Sequence, residues 1–219
     1  MAKKRERTPD DWRDEMIDAA LAQVPFDGWT DRALAKAAEA LGLERAYARL
    51  VFPGGAAEVL EAAARRADAL MLEELEAAGI GEMRIRDRIR SAVMARLLVM
   101  GDHRQAVERS MAYLALPQNG ALALKLLYRT VDAMWVAAGD TATDYNFYTK
   151  RAILAGVYSS TLLIWLHDRS EDYADTRAFL DRRIDGVMQF EKVKAEVRKV
   201  TDNLPSIAGI LGRLRYPAR

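Results

Sequence analysis

Val131 to Arg151 reads VDAMWVAAGDTATDYNFYTKR, and this stretch decides how the chain is built. It joins two strongly apolar segments of helical spacing. Gly139 and Asp140 stop the first, and Thr143 or Asp144 caps the second by accepting a hydrogen bond from a free N–H in its first turn. Capping does not account for Trp135, Tyr145, Phe147 and Tyr148, crowded at a helix entrance together with Asn146, Lys150 and Arg151. Two readings stay open. The aromatics cover the end of a core, or they form a contact surface, because aromatics beside arginine are what buried interface centres use.

Outward from this junction every long segment has helical spacing, and no strand pattern, repeat or low-complexity tract interrupts it. A first helix is expected from Pro9 or Asp10 to about Val24, followed by a turn at Pro25–Gly28. Two short helices follow, Asp31–Leu41 ending at Gly42 and Glu44–Phe52 ending before Pro53. Longer ones are expected at about 56–78, 82–101, 104–116, 120–138, 144–168 and 173–203, the last capped by Ser170 or Asp172 and carrying Phe179, Leu180, Ile184, Val187 and Met188 at a 3.6 period. Two short helices joined by a glycine turn, after a longer one, outline a helix-turn-helix. Its spacing resembles the N-terminal part of TetR-type regulators. The fold class is therefore all-α and TetR-like. A helix-turn-helix-like unit at 1–52 precedes a helical ligand and dimerisation bundle at 53–203 and an amphipathic segment at 204–219.

Composition sets limits. Half the residues are apolar and nearly a third charged, which describes a globular protein with a good core. With no cysteine there is no disulfide, thiolate metal site or thiol nucleophile. The two longest uncharged runs, Ser110–Leu124 and Ala152–Leu166, are fifteen residues each. As helix the second spans about 22 Å, short of a hydrocarbon core of roughly 30 Å. Lys3 to Arg7 has no apolar run behind it, and Asp10, Asp11, Asp14 and Glu15 follow, so neither a signal peptide nor a transit peptide is expected.

Catalytic and cofactor chemistry finds little support. His103 and His167 are the two histidines, each beside an aspartate at a helix end. No glutamate has a histidine three residues later, so the carboxylate-bridged di-iron pattern of helical bundles is missing. Gly79-Ile80-Gly81 lacks the third glycine and the preceding strand of a dinucleotide fingerprint. The expectation is a non-enzyme with no metal and no cofactor.

Charge is unevenly placed. The chain carries +1 overall, with +5 from Lys192 onward and −4 in the remainder, so the C-terminal end suits an anionic surface. Past Pro205, Ile207, Ile210, Leu211 and Leu214 fall at i, i+3, i+4 and i+7, with Arg213 and Arg215 off that stripe. Gly209 and Gly212 each weaken a helix by roughly 1 kcal/mol relative to alanine, so the segment needs a surface to fold on. From Asp27 to Phe52, Arg32, Lys36, Arg45 and Arg49 are balanced by Asp27, Asp31, Glu39 and Glu44. A neutral reading head is a poor start for neutralising phosphates, and DNA is not expected as a partner.

The junction also carries a family resemblance. Asp132, Ala133, Met134, Trp135, Ala138, Gly139, Asp140, Thr143, Asp144, Asn146, Tyr148, Thr149 and Arg151 are similar to the accessory lipid-binding family of ubiquinone (coenzyme Q) biosynthesis, the ninth of the Coq proteins. The match runs on through Ala152–Ala155 and resumes at Asp175, Thr176, Arg177, Phe179, Leu180 and Arg183. Upstream, Gly28–Thr30, Leu41–Leu43 and Leu116–Asn119 fit it too, so that it covers about residues 26 to 190.

The resemblance implies a non-enzymatic protein that holds an isoprenoid lipid or quinone precursor and presents it at a membrane to a di-iron hydroxylase. A pocket is expected from Met94, Leu97, Leu98, Leu127, Val131, Met134, Leu154, Tyr158 and Leu162. The family's hydroxylase-facing patch maps onto Leu116, Pro117, Asp144, Phe147, Tyr148 and Arg151. Its membrane helix maps onto Ile207, Ile210, Leu211, Arg213, Leu214 and Arg215. Ala115 and Phe147 depart from the animal pattern, where methionine and tryptophan are usual, and both changes remove contact area. A homodimer through the last two long helices is expected. The family has mitochondrial members, but the N-terminal residues suggest a bacterial protein, cytoplasmic and peripheral to the inner membrane. The competing reading is a TetR-type regulator that binds DNA and an apolar effector.

Overall fold

A computed structural model describes residues 7–140 and 145–202, with side chains described over 7–140 and 147–189. All regular structure among the described residues is helical. The helices are α1 (Arg13–Asp27), α2 (Asp31–Ala40), α3 (Tyr47–Val51), α4 (Gly55–Ala77), α5 (Ile85–Leu98), α6 (Arg104–Leu114), α7 (Gly120–Ala137), α8 (Tyr145–His167) and α9 (Ala174–Asp202). The chain forms two compact units, residues 1–180 and 181–219, divided at a different place from the expected 52/53 and 203/204 boundaries. Everything described below belongs to the first.

The N-terminal helices share their core with the bundle. Met16, Ile17, Ala20 and Val24 on α1 and Leu34, Ala37 and Ala38 on α2 are buried in one cluster with Val59 and Leu60 of α4, Ala106 of α6 and Leu126 of α7. Trp29 is buried there as well, and its Nε1 donates to Ser110 Oγ at 2.8 Å, which ties the turn before α2 to α6. Thr30 starts α2 by accepting from the Ala33 N–H at 3.3 Å.

The Pro25–Gly28 turn is not a turn. Pro25 lies inside α1, which runs on to Asp27. Proline forfeits the one N–H bond back to the preceding turn, but its fixed φ is helical, so the chain continues through it to Asp27. Gly28 makes the stop, at φ +67°, with its N–H on Val24 O at 2.8 Å. The first three residues of the expected helix, Asp10–Trp12, are a 3₁₀ turn.

The entrance to α9 is held from below. Asp168 Oδ1 accepts from Ser170 N at 2.8 Å and Oγ at 2.5 Å, and Oδ2 accepts from Thr176 N at 2.8 Å and Oγ1 at 2.5 Å. Ser170 Oγ in turn accepts from Asp175 N. Ser170 thus caps as expected; Asp172 does not, sitting at φ +50° instead.

Candidate functional site

The apolar bundle is not filled. A cavity of about 670 Å³ lies among α1, α4, α6, α7 and α8, within the range of roughly 300–1,000 Å³ typical of small-molecule pockets. One wall is α4, where Ala63 and Ala64 stand about a turn from Ala67 and the three put little volume into the space. Leu21 and Trp29 face it from the N-terminal helices, Val107, Met111 and Leu114 from α6, and Leu126 and Leu127 from α7. Leu162 closes it from α8, and the wall reaches the exposed Ala115, directly before Leu116.

Of the nine residues expected to line a pocket, Leu127, Tyr158 and Leu162 do so. Met94, Leu97, Val131, Met134 and Leu154 are buried away from the cavity, in the packed core. Leu98 is 41% exposed. The large apolar side chains of α5 fill space; the residues that leave space are the alanines of α4 and the α6 face.

One end of the cavity is polar. Asp68, Arg96 and Thr130 are all buried. Asp68 Oδ1 accepts from Arg96 Nε and Thr130 Oγ1, each at 2.8 Å, and its Oδ2 accepts from Arg129 Nε at 3.1 Å. Arg96, Thr130 and Tyr158 line the cavity at this end. Burial pushes the Tyr158 phenol above its ordinary range; the Arg96 charge opposes that shift and the Asp68 charge adds to it. Among the described residues no three histidine, aspartate or glutamate side chains converge as a metal ion requires.

The α7–α8 junction has an internal role for most of its charged and aromatic residues. Gly139 at φ +86° ends α7, with its N–H on Val136 O and the Asp140 N–H on Trp135 O, the paired bonds of a left-handed C-cap. Arg151 is buried, with Nε on Asp132 Oδ1 at 2.7 Å and Nη1 on Asp140 Oδ2 at 3.2 Å, and its guanidinium lies 3.4 Å above the Phe147 ring. Lys150 Nζ reaches Asp140 Oδ1 at 2.7 Å, and Trp135 Nε1 donates to Lys150 O at 3.1 Å. Tyr148 packs edge-on against Phe147 and is 67% exposed.

The residues expected to face a partner therefore fall in two groups. Leu116, exposed at 43%, and Pro117 precede α7. Phe147, Tyr148 and Arg151 sit against its far end, where Asp132 lies twelve residues from Gly120, about 18 Å along the helix. Asp144, the expected caps Thr143 and Asp144, and the membrane residues Ile207, Ile210, Leu211, Arg213, Leu214 and Arg215 lie outside the described residues. Among the described residues no helix is long and apolar enough to cross a membrane.

In the helix-turn-helix each basic side chain has a carboxylate partner. Arg32 and Lys36 pair with Asp27, Arg45 with Glu39, and Arg49 with Asp31. The would-be recognition helix, α3, is five residues long.

A helix-turn-helix leading into a bundle with a largely apolar cavity among its helices defines a TetR-like all-α protein. A solved TetR transcriptional regulator from Nitrosomonas europaea matches with a TM-score of 0.65 and 26% identity, covering 80% of this chain and 97% of that one. The sequence model of the COQ9 family matches residues 120–191. The mitochondrial ubiquinone biosynthesis protein COQ9 of Rattus norvegicus is 36% identical over 203 residues, 90% of this chain and 64% of the relative. That of Homo sapiens is 34% identical, with 63% of its length covered, and COQ9-B of Xenopus laevis is 33% identical, with 69% covered. The chain belongs to the COQ9 family. It spans just under two thirds of the length of the rat and human relatives.

The relatives overturn the expected location. They are eukaryotic and mitochondrial by name, which conflicts with a bacterial protein in the cytoplasm at the inner membrane. The acidic residues behind that expectation, Asp10, Asp11, Asp14 and Glu15, occupy the first turns of the opening helices, where negative charge suits the helix dipole. They carry no information about compartment.

Proposed function

We propose that this chain is a non-enzymatic accessory protein of ubiquinone biosynthesis. It takes an isoprenoid quinone precursor into the cavity and presents it to a partner hydroxylase at a membrane surface. The observation that carries this reading is the cavity itself: about 670 Å³, apolar along α4 and α6, and reaching the surface at Ala115 beside Leu116 and Pro117. Leu116 and Tyr148 supply exposed apolar area for the partner, and the exposed Leu163 and Ile164 of α8 suit pairing of two copies. Names of the mitochondrial COQ9 relatives support the pathway.

The regulator reading draws on the solved TetR neighbour. Against it stand the pairing of Arg32, Lys36, Arg45 and Arg49 within the chain and the short α3. Binding to phosphates would have to break those pairs without any net positive charge to gain from.

Mass spectrometry of organic extracts tests the proposal. The purified protein is expected to carry an isoprenoid lipid, and Ala64→Trp, which projects a ring into the cavity, is expected to carry at least several-fold less. Protein that never carries lipid, or an Ala64→Trp variant that is folded and carries as much, would overturn the cavity as the binding site.

A further inference from the structure

Tyr158 is 6% exposed, lines the cavity, and makes no hydrogen bond to any described residue. Its hydroxyl opens onto the cavity, where it can donate to an acceptor the cavity holds. The two oxygens of Asp68 are already taken by Arg96, Thr130 and Arg129. Thr130 spends its proton on Asp68, and Ser110, also on the wall, spends its own on Ala106 O. Arg96 has Nε on Asp68, but its Nη1 rests on the thioether of Met100, a weak acceptor that an oxygen readily replaces. Asp18 and Arg66 on the wall are paired with each other.

Tyr158 and Arg96 therefore keep N–H and O–H groups turned to the cavity, while Asp68 already holds three donors and the protons of Thr130 and Ser110 are committed. We propose that Tyr158 and Arg96 form a polar anchor that selects, among apolar amphiphiles, those bearing an acceptor oxygen on the head, and holds that oxygen between α5 and α8. Thr130 lies ten residues along α7 from Gly120, about 15 Å, so the anchor is well separated from the rim at Ala115. The tail then runs along the alanine wall of α4 toward the rim. This inference rests on the cavity being a lipid site, as proposed above. A quinone or methoxy oxygen and a phosphate oxygen present the same acceptor chemistry to these donors.

The test compares the full chain with Tyr158→Phe, a change that leaves the apolar volume in place. Three probes of equal tail are titrated by quenching of tryptophan fluorescence, Trp29 being on the cavity wall: a decyl-substituted benzoquinone, decyl phosphate and decylbenzene. Tyr158→Phe is expected to weaken the benzoquinone or the phosphate about fivefold, the loss of one hydrogen bond, and to leave decylbenzene unchanged. The oxygen-bearing probe with the larger loss identifies the source of the head group. Equal loss for all three, or no loss for any, overturns the anchor while leaving the cavity as a lipid site. Failure of every probe to bind the unaltered chain overturns the lipid-site reading, and the anchor with it.

Discussion

Arg151 Nη1 and Asp140 Oδ2 lie 3.2 Å apart with only 5% and 3% of their side chains exposed. The pair bolts the start of α8 to the end of α7. Arg151, which the sequence places on a contact surface, is here the inside of a joint with the helix stop Asp140, and its guanidinium lies over the Phe147 ring. Of the described side chains expected at this end of the partner patch, Tyr148 is the one left well exposed.

Replacing Arg151 by alanine leaves the Asp140 carboxylate buried with Lys150 still beside it, and takes from Asp132 its bond to the guanidinium. Breaking a buried pair by removing one member costs roughly 3–5 kcal/mol, and Lys150 offsets part of that. A loss of about 3 kcal/mol in urea unfolding is expected. A loss below about 0.5 kcal/mol, the scale of an exposed pair, would show that the joint is not a structural element.

Tyr148→Ala should behave in the opposite way. The side chain is mostly in water and touches Phe147 edge-on, so unfolding should change by no more than about 1 kcal/mol. If Tyr148 faces the hydroxylase, pull-down of that partner should fall at least several-fold, because exposed aromatics at an interface centre carry much of the binding energy. Full retention of the partner would move the docking surface elsewhere, with Leu116 and Pro117 at the other end of α7 as the next place to look.

The helices were legible because their signals are local. Gly139 and Asp140 stop α7, Gly42 follows α2, and apolar spacing marks what lies between; ends fall within a few residues of expectation. The exception, Pro25, follows from reading proline as a stop, when its fixed φ is helical and the loss is one backbone bond. Most of the cavity's lining was not legible. A void is missing volume, and Ala63, Ala64 and Ala67 read in sequence as ordinary helix filler. Met94, Leu97 and Met134 looked like lipid contacts because they are large and apolar, and for that reason they pack solidly. The polar end joins Asp68 to Arg96 and Thr130, 28 and 62 residues apart, and no spacing rule links positions on three different helices.

Removal of residues 206–219 tests the membrane half of the proposal without touching the described fold. That stretch carries Ile207, Ile210, Leu211 and Leu214 with Arg213 and Arg215. Flotation with vesicles should drop, and more steeply when they contain anionic lipid, since each basic residue near such a surface contributes about 1 kcal/mol. Unchanged flotation with both vesicle types would discard this segment as the anchor.

Asp168 gives a pH signature. Burial pushes its carboxyl up, but the four hydrogen bonds from the backbone and hydroxyls of Ser170 and Thr176 outweigh burial and hold it well below the usual carboxylate range. A depressed folded pKa means that stability is fully present above the unfolded value of about 3.9 and is lost as pH falls through the folded one. Asp168→Asn removes the charge, and its amide group accepts at one end only, so it should cost about 2–3 kcal/mol at neutral pH. The urea midpoints of the two proteins should stay a constant distance apart down to about pH 4 and converge below it as the unaltered carboxyl takes up its proton. Curves that remain parallel through that acid range would mean that the capping bonds do not depend on the ionised carboxylate, and that the entrance to α9 is held by something other than Asp168.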